Sequence, residues 1–528
     1  MPEPPDWYET VDEMVFGVPM EVFAHRHRSI RDLLRSSEGF GEREYLVDDA
    51  HRVTFAQHLR HVASLATVLR GDYHVRVGDR VAVLARNSVE WAVAFWAAAS
   101  AGAIVAPMNS FWSPSEFSAA MDLAEPVVVL GDADSLDPVE ALHTGVPRIS
   151  FEEELWPAAG DPGCDFPVVM DDEDDPALLI FTSGTTGRPK AVTHSHRGVC
   201  GFVQCQQYNL VQRSLGATAP QPVPRFLVTA PLFHVSVLHG VLMMQLGMGG
   251  CAVILRGRFD PARVIRTIEA ERVTTWPALG SAAPRVAAHP DVATHDLSSL
   301  RALSVGGAPV SPAVQDALRA AFPHAAQGLR MGYSSSESVS IVASIGGREY
   351  EEHPTSTGPV QTGAQVEIRD EQGLRVPDGV DGEVHVRSPY IMLGYWGDPD
   401  ATAAVMKPGR WLAMGDVGQL RDGRLYINSR ARDLVFVSAE NVFPTEVEYR
   451  LDAHPAVVES AVVGVDDPIA GQALQAHVVP VQGSQITTDD LATWCAAGLA
   501  RYKVPTRWVI RSEPLPRTAS GKVSKVAL

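Results

Sequence analysis

Phe181-Thr-Ser-Gly-Thr-Thr-Gly-Arg-Pro-Lys190 follows directly on the apolar run Ala177-Leu-Leu-Ile180. Its ten residues carry four hydroxyl side chains, two glycines and two cations. A strand that runs into such a loop presents backbone N–H groups and hydroxyls with few Cβ atoms in the way. Polyphosphate oxygens need many donors at short range, and this composition supplies them. The stretch is not a P-loop, which reads G-x-x-x-x-G-K-[ST]. Gly184 and Gly187 stand too close together, and alanine follows Lys190.

Outward from the loop, short apolar runs alternate with helical patterns. Val81–Ala85, Ile104–Met108 and Val127–Leu130 read as buried strands, and Trp91–Gly102 as a core helix ending at glycine. The alternation resumes at Phe226–Thr229, Ala252–Leu255, Val273–Trp276 and Leu303–Val305. It is the pattern of an α/β chain whose parallel-rich sheets are covered by helices. Beyond Gln361 short strands and turns such as Gly382–Arg387 take over, which suits a small β subdomain at about 361–431. Near Arg430-Ala-Arg-Asp433 the chain turns basic, and a separate βαβ-like pattern follows to Leu528. The expected division is a large N-terminal domain, 1–431, and a small α+β C-terminal domain, 432–528.

The chain has 528 residues, too many for one core. Apolar and charged contents of 45% and 20% suit a soluble globular protein. A net charge of −19 argues against a nucleic-acid partner. Five cysteines without a C-x-x-C pair read as reduced thiols in a cytoplasmic chain. No signal segment or spanning apolar stretch is expected. His194, His196, Cys200 and Cys205 match no standard zinc spacing, and the segment is expected to enter a helix after the loop, its histidines and cysteines structural. The acids Asp171 to Asp175 read as a solvated turn.

Further motifs follow in order: Pro231-Leu-Phe-His234, Gly306-Gly-Ala-Pro309, Gly332-Tyr-Ser-Ser-Ser-Glu337, Gly415-Asp416 with Arg430, and Pro516-Arg-Thr-Ala-Ser-Gly-Lys522. With the loop they resemble the adenylate-forming superfamily, and within it the acyl-CoA synthetases that join fatty or aryl acids to CoA. The resemblance runs from residue 181 to the end of the chain. It implies ATP, Mg²⁺ and coenzyme A as cofactors, and activation of a carboxylic acid as its adenylate before transfer to a thiol.

Residue by residue, the resemblance assigns Thr182, Ser183, Gly184, Thr185, Thr186, Gly187 and Lys190 to the ATP phosphates, and Gly307, Ala308 and Pro309 to the adenine side. Tyr333 would stack on the base, with Ser336 as a phosphate donor and Glu337 as the metal ligand. Asp416 and Arg430 would hold the ribose. Lys522 would bridge carboxylate and α-phosphate, on a mobile C-terminal domain turning about Arg432. The acid pocket would comprise Phe233, His234, Val237, Trp276, Val305 and Gly306, and the CoA tunnel Ser438, Ala439 and Glu440. Ser438-Ala439 replaces the family's Gly-Gly, and Ser334, Met414 and Ser429 are further departures. With His234 where amino-acid-activating relatives place an aspartate, the expected acid is uncharged and largely apolar: fatty, aryl or sterol-derived. A carrier-protein thiol is the alternative acceptor, and a homodimer is left open.

Overall fold

The computed structural model describes the chain except residues 1–4, 144, 162, 171, 184–188, 215–222, 307–309, 340, 431–432, 438–439, 468–470 and 519–520, and the side chains of 5–6, 140, 183, 213–214, 441 and 471. Among the described residues the core of the architecture is a pair of large sheets. A seven-stranded one runs in the order Gly394–Tyr395, Pro189–Ser195, Pro176–Ser183, Ile104–Pro107, Arg80–Leu84, Val128–Gly131, Arg148–Ser150. An eight-stranded one contains Leu329–Tyr333, Ala302–Gly306, Thr275–Leu279, Arg225–Val228 and Cys251–Ile254 as successive parallel neighbours. Parallel strands need covering on both faces, which accounts for their near-continuous apolar runs.

The helix Val89–Ser100 shows the same logic. Ser88 caps it through the Trp91 N–H, and all twelve residues are buried, so the helix is apolar on every face. It lies in the largest core, with helix Phe55–Gly71 and both sheets. A six-stranded antiparallel sheet holds Gly382–Arg387, Trp411–Arg421 and Arg424–Arg430. A five-stranded sheet between Val435 and Ile510 has its own core around Val447, Leu474 and Leu491. Among the described residues no helix is long and apolar enough to cross a membrane.

The structure refines one expectation and corrects another. The segment does enter a helix, His196–Ser214, but a strand, Pro189–Ser195, lies between the phosphate loop and that helix. The strand returns antiparallel to Pro176–Ser183, with Lys190 opposite Thr182. The β-branched pair Val192-Thr193 lies at the centre of that strand, where a pleated surface accommodates such side chains well. The acidic run is also not simply solvated. Glu173 contacts Arg26 at 2.8 Å and Arg197 at 2.9 Å, and Asp174 contacts Arg197 at 2.5 Å. Both arginine side chains are almost fully buried. Buried guanidinium groups need paired carboxylates, and these two acids provide them.

Candidate active site

Asp416 and Arg430 face each other across the antiparallel strands Trp411–Arg421 and Arg424–Arg430. Gly415, at φ +68°, bends the strand just before the aspartate, a conformation that suits glycine. Arg430 Nε lies 3.0 Å from Asp416 Oδ1, and the Tyr333 hydroxyl donates to Oδ2 at 2.6 Å. Burial pushes the Asp416 carboxyl up, against the pull of Arg430. Burial and the neighbouring Asp416 push the Tyr333 phenol well up, so it stays a donor. Tyr333 therefore holds Asp416 in place, while its half-buried ring is left beside the site.

Glu337 follows in the turn after Leu329–Tyr333. Ser335 and Ser338 close that turn by exchanging hydrogen bonds, the Ser335 N–H reaching Ser338 Oγ at 2.9 Å and the Ser338 N–H reaching Ser335 Oγ at 3.1 Å. His194, on the returning strand, lies with Nε2 at 2.8 Å from the Ser336 carbonyl, so Nε2 must donate. The Met392 N–H binds the Glu337 carbonyl at 3.0 Å. The Tyr395 hydroxyl donates to Glu337 Oε1 at 2.9 Å, and Lys190 Nζ lies 4.8 Å from the Tyr395 ring centroid.

His234 precedes the short helix Val235–Val237 and contacts Ser236 Oγ through Nδ1 at 3.0 Å. Burial and the Lys522 ammonium hold it down at about 4, so it is neutral at pH 7. Lys522 is brought there by a tight turn. The Thr518 N–H donates to the Lys522 carbonyl at 2.8 Å, and Arg517 bridges to Val523 as an antiparallel pair. A Cβ at Gly280 would stand only 2.4 Å from the Gly521 carbonyl oxygen, so the turn is seated against the end of strand Thr275–Leu279. Burial, then Arg430, lower the Lys522 ammonium, while Asp416 and Glu337 oppose the shift. The fold thus gathers Lys522, His234, Arg430, Asp416 and Glu337 around one space. A single carboxylate, with phosphate oxygens completing the set, fits Mg²⁺ better than softer metals.

Three of the six residues expected to line the acid pocket point elsewhere. Trp276 and Val305 lie in the core beneath the helices of the eight-stranded sheet, and the Trp276 indole N–H donates to Thr229 Oγ1 at 3.0 Å. Strand alternation is the reason: the neighbours Pro277, Leu279, Ser304 and Gly306 take the other face. Val237 joins the main core, while Ser236 and Gly240 are half-buried. A Cβ at Gly240 would meet nothing within 4 Å, so space is open there, whereas a Cβ at Gly306 or Gly332 would sit in ordinary van der Waals contact at 3.7 Å with the Gly332 carbonyl oxygen or Ile341 respectively. Phe233 is buried near Phe111. Thr182 and Ser336 are half-buried at the phosphate side, and Glu440 is exposed on the edge strand Glu440–Val442. Gly184, Thr185, Thr186, Gly187, Gly307, Ala308, Pro309, Arg432, Ser438 and Ala439, with the side chain of Ser183, lie outside the described residues.

Sequence reasoning missed His194 and Tyr395 as supports of Glu337. Their partners are 142 and 58 residues away, and no local pattern signals such pairs. Among the described residues, His194, His196, Cys200 and Cys205 do not converge as a set of metal-ligating atoms. Nδ1 of His196 takes the Ile30 N–H, and Cys200 and Cys205 are buried thiols that burial pushes up, Cys205 to about 12. Elsewhere Asp48, His51 and Glu90 converge, but Arg256 contacts Asp48 at 3.2 Å and Glu90 at 2.6 Å, so a guanidinium already supplies the positive charge.

The family model described as AMP-binding enzyme matches residues 33–396, and that described as AMP-binding enzyme C-terminal domain matches residues 446–522. A feruloyl-CoA synthase from Amycolatopsis sp is 37% identical over 475 residues, 90% of this chain and 92% of the relative. A 4-coumarate–CoA ligase 2 from Oryza sativa subsp. japonica is 33% identical over 474 residues, 84% of this chain and 82% of the relative. The crystal structure of ATP-bound MatB from Rhodopseudomonas palustris superposes with a TM-score of 0.83 at 26% identity, covering 94% of this chain and 97% of the other.

Proposed function

The chain belongs to the AMP-binding enzyme family as an AMP-forming acid–CoA ligase, and on that premise we propose that it activates an uncharged, largely apolar carboxylic acid. The observation that carries this reading is the seat of Lys522. Its turn rests against Gly280, with the ammonium in the field of Asp416, Glu337 and Arg430 and next to a neutral His234.

In the first step ATP lies with its ribose on Asp416 and Arg430 and its base against Tyr333. Its β- and γ-phosphates take the hydroxyls of Thr182, Ser183, Thr185 and Thr186 and the ammonium of Lys190. Glu337 would hold Mg²⁺, which would supply positive charge against the phosphates. The acid carboxylate enters between His234 and the α-phosphate. Two anions repel each other there, and Lys522 bridges them as they react, stabilising charge at the transferring centre. A protonated His234 would hold a carboxylate too firmly in the ground state; the neutral ring leaves the attraction to Lys522. Pyrophosphate departs and the acyl-adenylate remains. In the second step the C-terminal domain, beginning at residue 432, turns about Arg432. Lys522 withdraws, and the Ser438–Glu440 segment comes up to admit the CoA thiol.

The substrate class rests on the space beside Gly240, on half-buried Leu279 and Ile341, and on relatives named for feruloyl-CoA and 4-coumarate. A pyrophosphate-release screen over fatty, aryl and sterol-derived acids tests it, with CoA and a phosphopantetheinyl carrier protein as competing acceptors. Release that depends on an apolar acid, with thioester formed on CoA, is the expected result. Turnover confined to amino acids or to dicarboxylic acids would overturn the substrate class. Thioester formed on the carrier protein alone would overturn the acceptor.

A further inference from the structure

We propose that Tyr395 is a positioning residue for the first half-reaction, setting the orientation of Glu337 with its hydroxyl and of Lys190 with its ring. The inference rests on the reading of Glu337 as the metal ligand and Lys190 as a phosphate contact. Both groups meet on this one side chain. The hydroxyl donates to Glu337 Oε1 at 2.9 Å, and the Lys190 ammonium lies 4.8 Å from the ring centroid. Burial and the adjacent Glu337 push the phenol up, so it remains a donor throughout the working pH range.

The side chain is not needed to hold its own strand. Tyr395 pairs through its backbone with Val192, the Trp396 N–H donates to the Ala191 carbonyl at 2.8 Å, and the Tyr395 N–H donates to Thr402 Oγ1 at 2.9 Å. Those bonds fix Gly394–Tyr395 to the edge of the strand that returns from the phosphate loop. The phenol then reaches the Glu337 carboxylate, in the turn that follows strand Leu329–Tyr333 of the other large sheet. A carboxylate with one oxygen held this way turns the other towards the phosphates in a single rotamer. A lysine above an aromatic face is held against the flexible motion of its stem. Tyr395 thereby couples the phosphate loop to the metal ligand.

The test compares the full-length protein with Tyr395→Phe, Tyr395→Leu, Glu337→Gln and the Tyr395→Phe/Glu337→Gln double variant. MgATP binding without acid is measured by calorimetry across a Mg²⁺ series, alongside pyrophosphate release and thermal unfolding. Losing a hydrogen bond to a carboxylate is expected to raise the Mg²⁺ half-saturation of Tyr395→Phe about tenfold, with an unfolding temperature close to the parent's. Glu337→Gln is expected to raise it at least as much, and the double variant no further, because the two groups act as one unit. Tyr395→Leu is expected to weaken ATP several-fold beyond Tyr395→Phe, which keeps the ring for Lys190. If Glu337→Gln raised the Mg²⁺ requirement and Tyr395→Phe left it unchanged, Tyr395 would only pack, and the inference would be overturned. If Glu337→Gln itself left it unchanged, the metal-ligand reading would fail instead. Equal ATP affinity in the Phe and Leu variants would overturn the role of the ring.

Discussion

Gly280→Ala separates the two half-reactions by sterics alone. Gly280 has φ +57°, and a Cβ there would lie 2.4 Å from the Gly521 carbonyl oxygen, 2.7 Å from its carbon and 3.2 Å from the Lys522 nitrogen. Favourable separations begin at about 3.5 Å, so the closest contact falls short by roughly 1 Å. All three atoms are backbone and cannot rotate away. Overpacking of this kind costs about 1–3 kcal/mol, and an immovable neighbour places it at the upper end. That figure applies only while the Lys522 turn is docked. The left-handed backbone adds about 1–2 kcal/mol, but it does so wherever the C-terminal domain sits. Single-turnover pyrophosphate release should therefore fall about a hundredfold. Conversion of supplied acyl-adenylate and CoA to thioester should stay near the parent rate, and the unfolding temperature should drop by only a few degrees. Equal losses in both half-reactions, or unimpaired pyrophosphate release, would refute the seating of Lys522 at Gly280.

Lys522→Ala should lower adenylation by at least about a hundredfold while sparing thioester formation from supplied acyl-adenylate; a parallel loss in both assays contradicts its role. Arg432→Pro should act in the opposite sense, because proline fixes φ at a hinge that needs two backbone states. Pyrophosphate release in one turnover should persist and thioester formation should fall sharply, and normal thioester rates would move the hinge elsewhere. Buried histidines set an acid limit to stability: burial holds His58 and His196 at about 3, and His194 and His234 at about 4, all below the ordinary 6.5. The unfolded chain binds more protons as pH falls below 6.5, so the stability present above that value is lost progressively towards pH 4. At pH 5.5 each histidine accounts for about 1.4 kcal/mol of the loss. His239 is held well below its ordinary value by burial as well. Asp452, pushed up to about 7 by burial, opposes by keeping its proton in the folded state. Urea unfolding across this range should therefore show a net slope of several protons, and a slope below one proton would mean that these rings are charged in the folded state.

The parts of the fold legible in the sequence are those with local causes. Runs such as Val81–Ala85 and Phe226–Thr229 fall within one residue of the strands Arg80–Leu84 and Arg225–Val228, because an apolar run bounded by breakers needs only its own residues to be recognised. Asp416 and Arg430 were readable as a pair only through the family motif, and the structure shows the hairpin that sets them opposite each other. Strand parity was not readable at Trp276 and Val305. An apolar side chain suits either face of a sheet that is covered on both, and only the packing of helices on one side decides. The Glu173 and Asp174 ion pairs were hidden for another reason. Arg26 lies 147 residues from Glu173 and Arg197 lies 23 from Asp174, and a run of acids looks the same whether it meets water or a buried guanidinium. The same holds for Tyr395, whose contacts with Lys190 and Glu337 exist only because two strands distant in sequence pair at a sheet edge.

A chain of net charge −19 nevertheless assembles cations at one place, and their mutual repulsion bears on how the enzyme cycles. Without substrates, Lys522 is buried beside Arg430, and both effects lower its ammonium; Asp416 and Glu337 oppose the shift without reversing it. The docked arrangement is therefore electrostatically underbalanced until anions arrive. The ATP phosphates and the acid carboxylate supply that balance and make Lys522 docking more favourable in the ternary complex than in the free enzyme. Departure of pyrophosphate and consumption of the carboxylate charge remove most of it again. The acyl-adenylate keeps one phosphate charge, fewer than ATP and the acid carboxylate brought. On the proposed two-step cycle, this charge loss would favour withdrawal of Lys522, so that the chemistry of the first step opens the thiol step.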